Sequence, residues 1–262
     1  MIHFFISPHP AFGNYKKPVK WKVEASPYFW WWYALTLNED YKKLCERKAS
    51  GEVVLAETAE QEKQLKVYED FGDLHYTSCR YAAFASWWTK RVNTLESRGE
   101  YLFAEPYIRT AASKLDTVEA AQAAVESENT LVFSVQLNRQ RQHVDKVIDR
   151  LLQKHMHTVK GRTVRNPKLS SARYSLGTSV VVDALKKTFD VYDARCAATL
   201  RGERITNWQI AKRVKLIVKE RKRDDEDRDT AAERRNTTVV VSNLLNKARK
   251  LINRASKGEF VT

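Results

Sequence analysis

The sequence predicts a mainly α-helical chain with a small β element and a C-terminal trihelical module of the helix-turn-helix kind. Three observations carry this. Apolar residues recur at spacings of three and four through most of the chain, one seven-residue segment alternates, and the positive charge gathers in the back half. Residues 1–156 hold 21 Lys and Arg against 20 Asp and Glu, a net of +1, while residues 157–262 hold 25 against 12, a net of +13. Aromatic residues split the other way, with 22 of the 28 Phe, Trp and Tyr in residues 1–110. A neutral, aromatic front and a basic, aromatic-poor back suggest two modules, the second facing a polyanion.

Residues 1–25 carry Pro8, Pro10 and Pro18 among scattered apolar positions and read as an extended N-terminal arm. Residues 26–156 form the expected aromatic-rich α(+β) module. Ser26-Pro27 is a helix start, a capping hydroxyl followed by Pro at the first helical position. The run from Tyr28 to Leu35 is apolar on every face, which predicts a buried helix. Tyr41, Leu44 and Cys45 continue one face, and the pattern closes at Gly51. A polar surface helix follows over residues 57–68, then a turn at Phe71-Gly72-Asp73, then a helix over about 78–95 with Tyr81, Phe84, Trp88 and Val92 inside. Residues 101–106 read as a short strand stopped by Pro106, and the Ala-rich residues 115–128 as a helix.

Leu131, Phe133, Val135 and Leu137 share one face at the period of a half-buried strand. Asn138 is placed to cap the next helix, with Val144, Val147, Ile148, Leu151 and Leu152 on its inner side. Residues 157–174 are basic and polar and read as a linker. The basic module, residues 175–262, presents three helical patterns. The first covers about 176–198. The second starts after Thr206-Asn207 with Trp208, Ile210, Val214, Ile217 and Val218, and the third starts near Thr237 with Val241, Leu244, Leu245, Ala248, Leu251 and Ile252. A mixed-charge connector, residues 221–229, lies between the last two.

The third pattern has the outer face that duplex recognition needs. Thr238, Ser242, Asn246 and Arg249 follow at helical spacing beside Asn243, Lys247 and Lys250, and Arg234, Arg235, Arg254 and Lys257 flank them. Short polar side chains read base edges, and cations meet phosphates. The alternative is an ordinary solvated face. The long stretch between the second and third patterns argues against a tight helix-turn-helix, whose turn is about three to four residues.

The cluster around Trp30, Trp31 and Trp32, with Trp87-Trp88, reads as a core or a partner interface; stacking on single-stranded bases is the rival. Asp70-Phe71-Gly72 matches the metal-binding triplet of protein kinases, but no Gly-rich loop or His-Arg-Asp loop precedes it. His155 and His157 lack further ligands at metal spacing. Cys79 near His75 reads as a buried thiol. Neither Gly-x-Ser-x-Gly nor His-Glu-x-x-His occurs. No catalytic residue, cofactor or metal is therefore expected. Cys45, Cys79 and Cys196 stand far apart, which points to a reducing, cytoplasmic setting. No apolar run approaches a membrane span, and the first residues lack the pattern of a secretory signal.

Several stretches resemble a known group. Ser26-Pro-Tyr-Phe-Trp-Trp-Trp32, Asn38-Glu-Asp-Tyr41, Tyr68-Glu-Asp-Phe-Gly-Asp73, Trp87-Trp88 and Leu102-Phe-Ala-Glu-Pro106 are similar to segments of a largely uncharacterised group of proteobacterial mobile-element proteins, some labelled transcriptional regulators. The resemblance continues at Val191-Tyr-Asp193, Trp208-Gln-Ile-Ala-Lys-Arg213 and Ala248-Arg-Lys-Leu-Ile252, and spans most of the chain after residue 25. It implies a bacterial setting and a DNA-associated role, and brings no catalytic residues. The N-terminal arm is longer and the insertion at 220–236 more polar than the group's pattern. The expected function is that of a non-enzymatic duplex-DNA-binding protein whose front module binds a partner or a second copy. The alternatives are an assembly subunit of a nucleoprotein complex and an RNA or single-strand binder.

Overall fold

The computed structural model describes residues 4–7, 9–106, 112–126, 130–155, 170–176, 180–216 and 230–260. These residues are mainly helical, with one two-stranded antiparallel sheet among them. The N-terminal arm is not simply extended. Strands β1 (Gly13–Asn14) and β2 (Lys17–Pro18) pair as a hairpin in the register Gly13↔Pro18, Asn14↔Lys17. The Asn14 side chain accepts from the Lys16 N–H at 3.0 Å and so closes the turn. Helix α1 (Lys20–Glu24) follows.

Helix α2 (Pro27–Leu37) starts where Ser26-Pro27 predicts, but the Ser26 hydroxyl makes no capping bond and is buried without a partner among the described residues. The start therefore rests on proline, whose fixed φ suits the first helical position. Residues 27–36 are buried all round. The expected single helix breaks at Asn38, where the backbone is extended and a new helix, α3 (Glu39–Ala49), begins. Asn38 serves both directions: its side-chain oxygen accepts from the Tyr41 N–H at 2.8 Å, and its amide donates to the Ile252 carbonyl at 3.2 Å.

Helix α4 (Ala59–Phe71) opens on a Thr58–Gln61 capping box and stops at Gly72, whose φ of 72° favours glycine. Helix α5 (Arg80–Thr89) is shorter than its apolar pattern. The strand expected over 101–106 is instead helix α6 (Arg98–Phe103). Glu100 explains the difference: its carboxylate accepts from the Ser97 N–H and hydroxyl, both at 2.7 Å, and closes a first helical turn. Gly99 in that turn lies against the Trp88 ring, where a β-carbon would fall 2.1 Å from a ring atom.

Helices α7 (Val118–Glu126) and α8 (Arg141–His155) bury no residue. Residues 131–137 form no strand, because no segment among the described residues pairs with them. Asn138 does not cap α8; the Gln140 carbonyl takes the first bonds, from His143 and Val144. The chain ends in α9 (Val182–Leu200), α10 (Asn207–Arg213) and α11 (Thr230–Ala255).

The main core is built on α2. Trp30 stacks on Phe189 of α9, with centroids 5.5 Å apart and planes 9° apart, and Trp31 stacks on Phe260, at 5.3 Å and 17°. Leu251, Ile252 and Ala255 of α11 join the same cluster. Front and back thus share one hydrophobic interior, and the packing does not divide at the expected linker. Residues 157–169 of that linker lie outside the described residues, but residues 170–174 are fastened to the front. Ser170 donates to Glu105 at 2.6 Å, the Tyr174 hydroxyl donates to Asp70 at 2.7 Å, and Arg173 pairs with Asp70. The Tyr174 N–H also donates to the Leu102 carbonyl at 2.9 Å.

Candidate nucleic-acid interface

The second, smaller core joins the last three helices. Val191 and Ala198 of α9, Ile210 and Ala211 of α10, and Val241 and Leu245 of α11 close on Ile205. Thr206 and Gln209 cap α10 reciprocally: the Gln209 side chain accepts from the Thr206 N–H at 2.8 Å, and the Thr206 hydroxyl accepts from the Gln209 N–H at 3.3 Å. Arg195 fixes the α9–α10 connection by donating to the Ile205 carbonyl at 2.9 Å and to Asn207 at 2.6 Å. Helix α10 is only 7 residues long and ends beyond Arg213 with Lys215 at a φ of 55°. Ile217 and Val218, expected on its inner face, lie outside the described residues. Sixteen positions separate Arg213 from Thr230, far more than the three or four of a tight helix-turn-helix.

Helix α11 starts at Thr230, a full two turns before the expected Thr237. Arg234 and Arg235 are thus part of the helix and do not precede it. Its 26 residues span about 39 Å at ~1.5 Å per residue. Its first half closes the small core and its second half enters the main one.

Ten of the eleven side chains singled out in the sequence lie on α11; Lys257 follows it and pairs with Glu60 at 2.7 Å. Arg234, Arg235, Asn243, Asn246, Arg249, Lys250 and Arg254 are exposed; Thr238, Ser242 and Lys247 are half-buried. At about 100° per residue they do not form one face. Arg234, Arg235, Thr238, Ser242, Asn246 and Arg249 fall on one flank; Asn243, Lys247, Lys250 and Arg254 fall on the other. Together the rows cover a little over half of the helix circumference. In the first row the Thr238 hydroxyl donates to the Arg234 carbonyl at 2.7 Å, and Arg249 donates to the Asn246 side chain at 3.1 Å.

Charge sorts the same helix. It holds six Lys and Arg and one acid, Glu233, and Glu233 is buried. The outer surface of α11 therefore carries cations without carboxylates. Among the described residues Arg234, Arg235, Lys247 and Lys250 have no acidic partner.

Helix α10 adds side chains that sequence reasoning left out. A groove of about 660 Å³ runs between Trp208 and the start of α11, lined there by Arg234, Arg235 and Thr238. The Lys212 ammonium sits 5.3 Å from the centre of the Trp208 ring. A neighbouring groove of about 510 Å³ continues past Lys212 to Arg204 and Arg213. Glu203 there is held below the usual carboxylate range by hydrogen bonds from Arg201 and Arg213, at 2.6 and 2.7 Å. The i, i+4 spacing of Trp208 and Lys212 was a signal for this face, obscured because Trp208 also fits an apolar stripe.

No protein-family model, curated protein or solved structure matches this chain.

The other motifs resolve as structure. Trp30, Trp31 and Trp32 are no more than 1% exposed, so a base could stack on them only if the core opened. Phe71 is core, and Asp70 receives Tyr174 and Arg173. Cys79 is exposed and not buried as its position near His75 suggested. His155 ends α8, and His157 lies outside the described residues. Among the described residues no three His, Cys, Asp or Glu side chains converge as metal ligands, and no helix is long and apolar enough to cross a membrane.

Proposed function

We propose that the protein is a non-enzymatic DNA-binding protein that docks the basic face of α10 and α11 on duplex DNA. The observation that carries this reading is the sorting of charge on α11, whose one acid is buried while six cations and four short polar side chains stay at or near the surface. An exposed helix with that inventory matches what a major groove requires, polar groups toward base edges and cations toward phosphates. Lys212, Arg234 and Arg235 extend the phosphate-binding strip beside it. The likeness to mobile-element proteins labelled transcriptional regulators supports the same role.

The two rows on α11 give the test. Duplex binding by the full chain is followed by fluorescence anisotropy across a salt series, with folding checked by circular dichroism. Arg235→Glu with Arg249→Glu is expected to weaken binding at least tenfold and to flatten the log–log salt slope by about 0.9 per lost phosphate contact. Lys247→Glu with Lys250→Glu probes the other row. Wild-type affinity and slope in both folded double variants would remove α11 from any interface with DNA.

A further inference from the structure

Neither core uses residues 130–155. Leu131, Phe133, Val135 and Leu137 alternate as a half-buried strand should, yet Phe133 and Val135 are 40% exposed and Leu137 is 93% exposed. Among the described residues no backbone hydrogen bond joins residues 131–135 to another segment. Helix α8 follows at once with an apolar stripe of Val144, Val147, Ile148, Leu151 and Leu152, of which Val147 is exposed and the other four are half-buried.

Two features say what covers this surface. First, the segment from Thr130 to Asn138 contains no charge and no proline. Natural proteins blunt a free strand edge with those residues; an edge left without them is built to be paired. Second, the segment is its own complement. An antiparallel pairing about a two-fold axis at Ser134 sets Leu131 of one copy opposite Leu137 of the other, and Phe133 opposite Val135. All four apolar positions of both copies then fall on one face of the ribbon. A two-stranded ribbon is marginal by itself and needs a helix on its apolar face. The stripe of α8 supplies that cover from each copy.

We propose that residues 130–155 form a two-fold interface with a second copy of this chain, with antiparallel strands centred on Ser134 and α8 packed on the ribbon's apolar face. This goes beyond the DNA reading and does not depend on it.

The test is a register-specific cross-link in the full chain, with the exposed Cys79 first changed to Ser. At the two-fold axis the β-carbons of directly opposed residues lie about 4.5–5.5 Å apart. Ser134→Cys should form an intermolecular disulfide under mild oxidation. Gln136→Cys should not, because its two copies stand four residues apart along the ribbon, about 14 Å. Light scattering should give twice 30.4 kDa for the unmodified chain. Phe133→Glu with Val135→Glu, at positions outside either core, sets like charges directly opposite each other in that register and should return a folded monomer. Equal cross-linking of the two cysteine variants would overturn the register. A 30.4 kDa species at tens of micromolar would overturn the second copy as occupant and hand the surface to another partner.

Discussion

Replacing Phe260 with Ala tests whether the two ends of the chain share one interior. Phe260 is fully buried, and its ring covers Trp31 at a centroid distance of 5.3 Å. It stands 229 positions from that partner in a chain of 262. Core Phe→Ala changes cost about 3–5 kcal/mol, the transfer of the ring plus the cavity left behind. A chain of this size shifts its melting temperature by about 2–4 °C per kcal/mol, so the loss corresponds to roughly 6–20 °C. The assay is thermal and urea unfolding followed in parallel by tryptophan fluorescence and far-ultraviolet circular dichroism. Fluorescence reports the front core, and dichroism reports all the helices. Both should move together, in the wild type and in the variant, as one cooperative transition. A loss below about 1 kcal/mol, or two separate transitions, would refute the shared interior and restore an independent basic module.

Gly99→Ala should destabilise by more than about 2 kcal/mol, at the upper end of overpacking costs, because the new β-carbon would meet the rigid Trp88 ring at 2.1 Å; urea midpoints measure it. Glu24 is buried and accepts from Tyr81 at 2.5 Å and Lys186 at 2.8 Å. Burial pushes its carboxyl up, but those hydrogen bonds and the charges of Lys186 and Lys20 outweigh it and hold the group below its ordinary range. Its contribution is complete above the unfolded value near ~4.3 and is lost as pH falls through the lower folded one. Glu24→Gln should therefore cost about 1–3 kcal/mol at pH 7, discounted because Lys186 is 43% exposed, and clearly less at pH 3. Equal losses at the two pH values would contradict the pairing. Burial pushes the Cys45 thiol up to about 11 and raises Cys196, whereas Cys79 is exposed. A thiol reagent at pH 8 should modify Cys79 first and reach Cys45 only on unfolding.

Local signals were legible where chain neighbours supply the partner. The proline start of α2, the helical stripe of α11 and the Thr206 start of α10 all depend on residues within a turn or two. Ser97-x-x-Glu100 is a signal of the same class, outweighed in the sequence by the apolar Tyr101-Leu-Phe run, which makes α6 read as a strand. The break at Asn38 is only partly legible locally, because one of its two side-chain hydrogen bonds goes to Ile252, 214 positions away. The shared interior was hidden for the same reason. Charge divides the chain near residue 157, but the apolar residues that hold it together, Phe189, Leu251 and Phe260 among them, carry no charge to mark the boundary crossing. The ten candidate interface residues of α11 were found as a set and not as a surface. Spacing placed them on one helix, but two rows emerged only once the buried stripe fixed which way the helix faces.

The position of α11 ties the proposed interface to the fold. Its second half is locked by Leu251, Ile252 and Ala255 into the aromatic core, and the basic rows run along its outer surface from Arg234 to Arg254. Residues along one unbroken helix keep their relative positions, so Arg235 and Arg249, about 21 Å apart along the axis at ~1.5 Å per residue, are held at a fixed separation. A surface held rigid in this way loses little further freedom on binding, which favours affinity for a ligand of regular geometry such as a duplex. The same coupling works in reverse. A duplex bound to the folded chain alone stabilises it by about 2.7 kcal/mol at a hundredfold excess over Kd, and because α11 belongs to both cores that gain would be felt at Trp31 as well as at Val241.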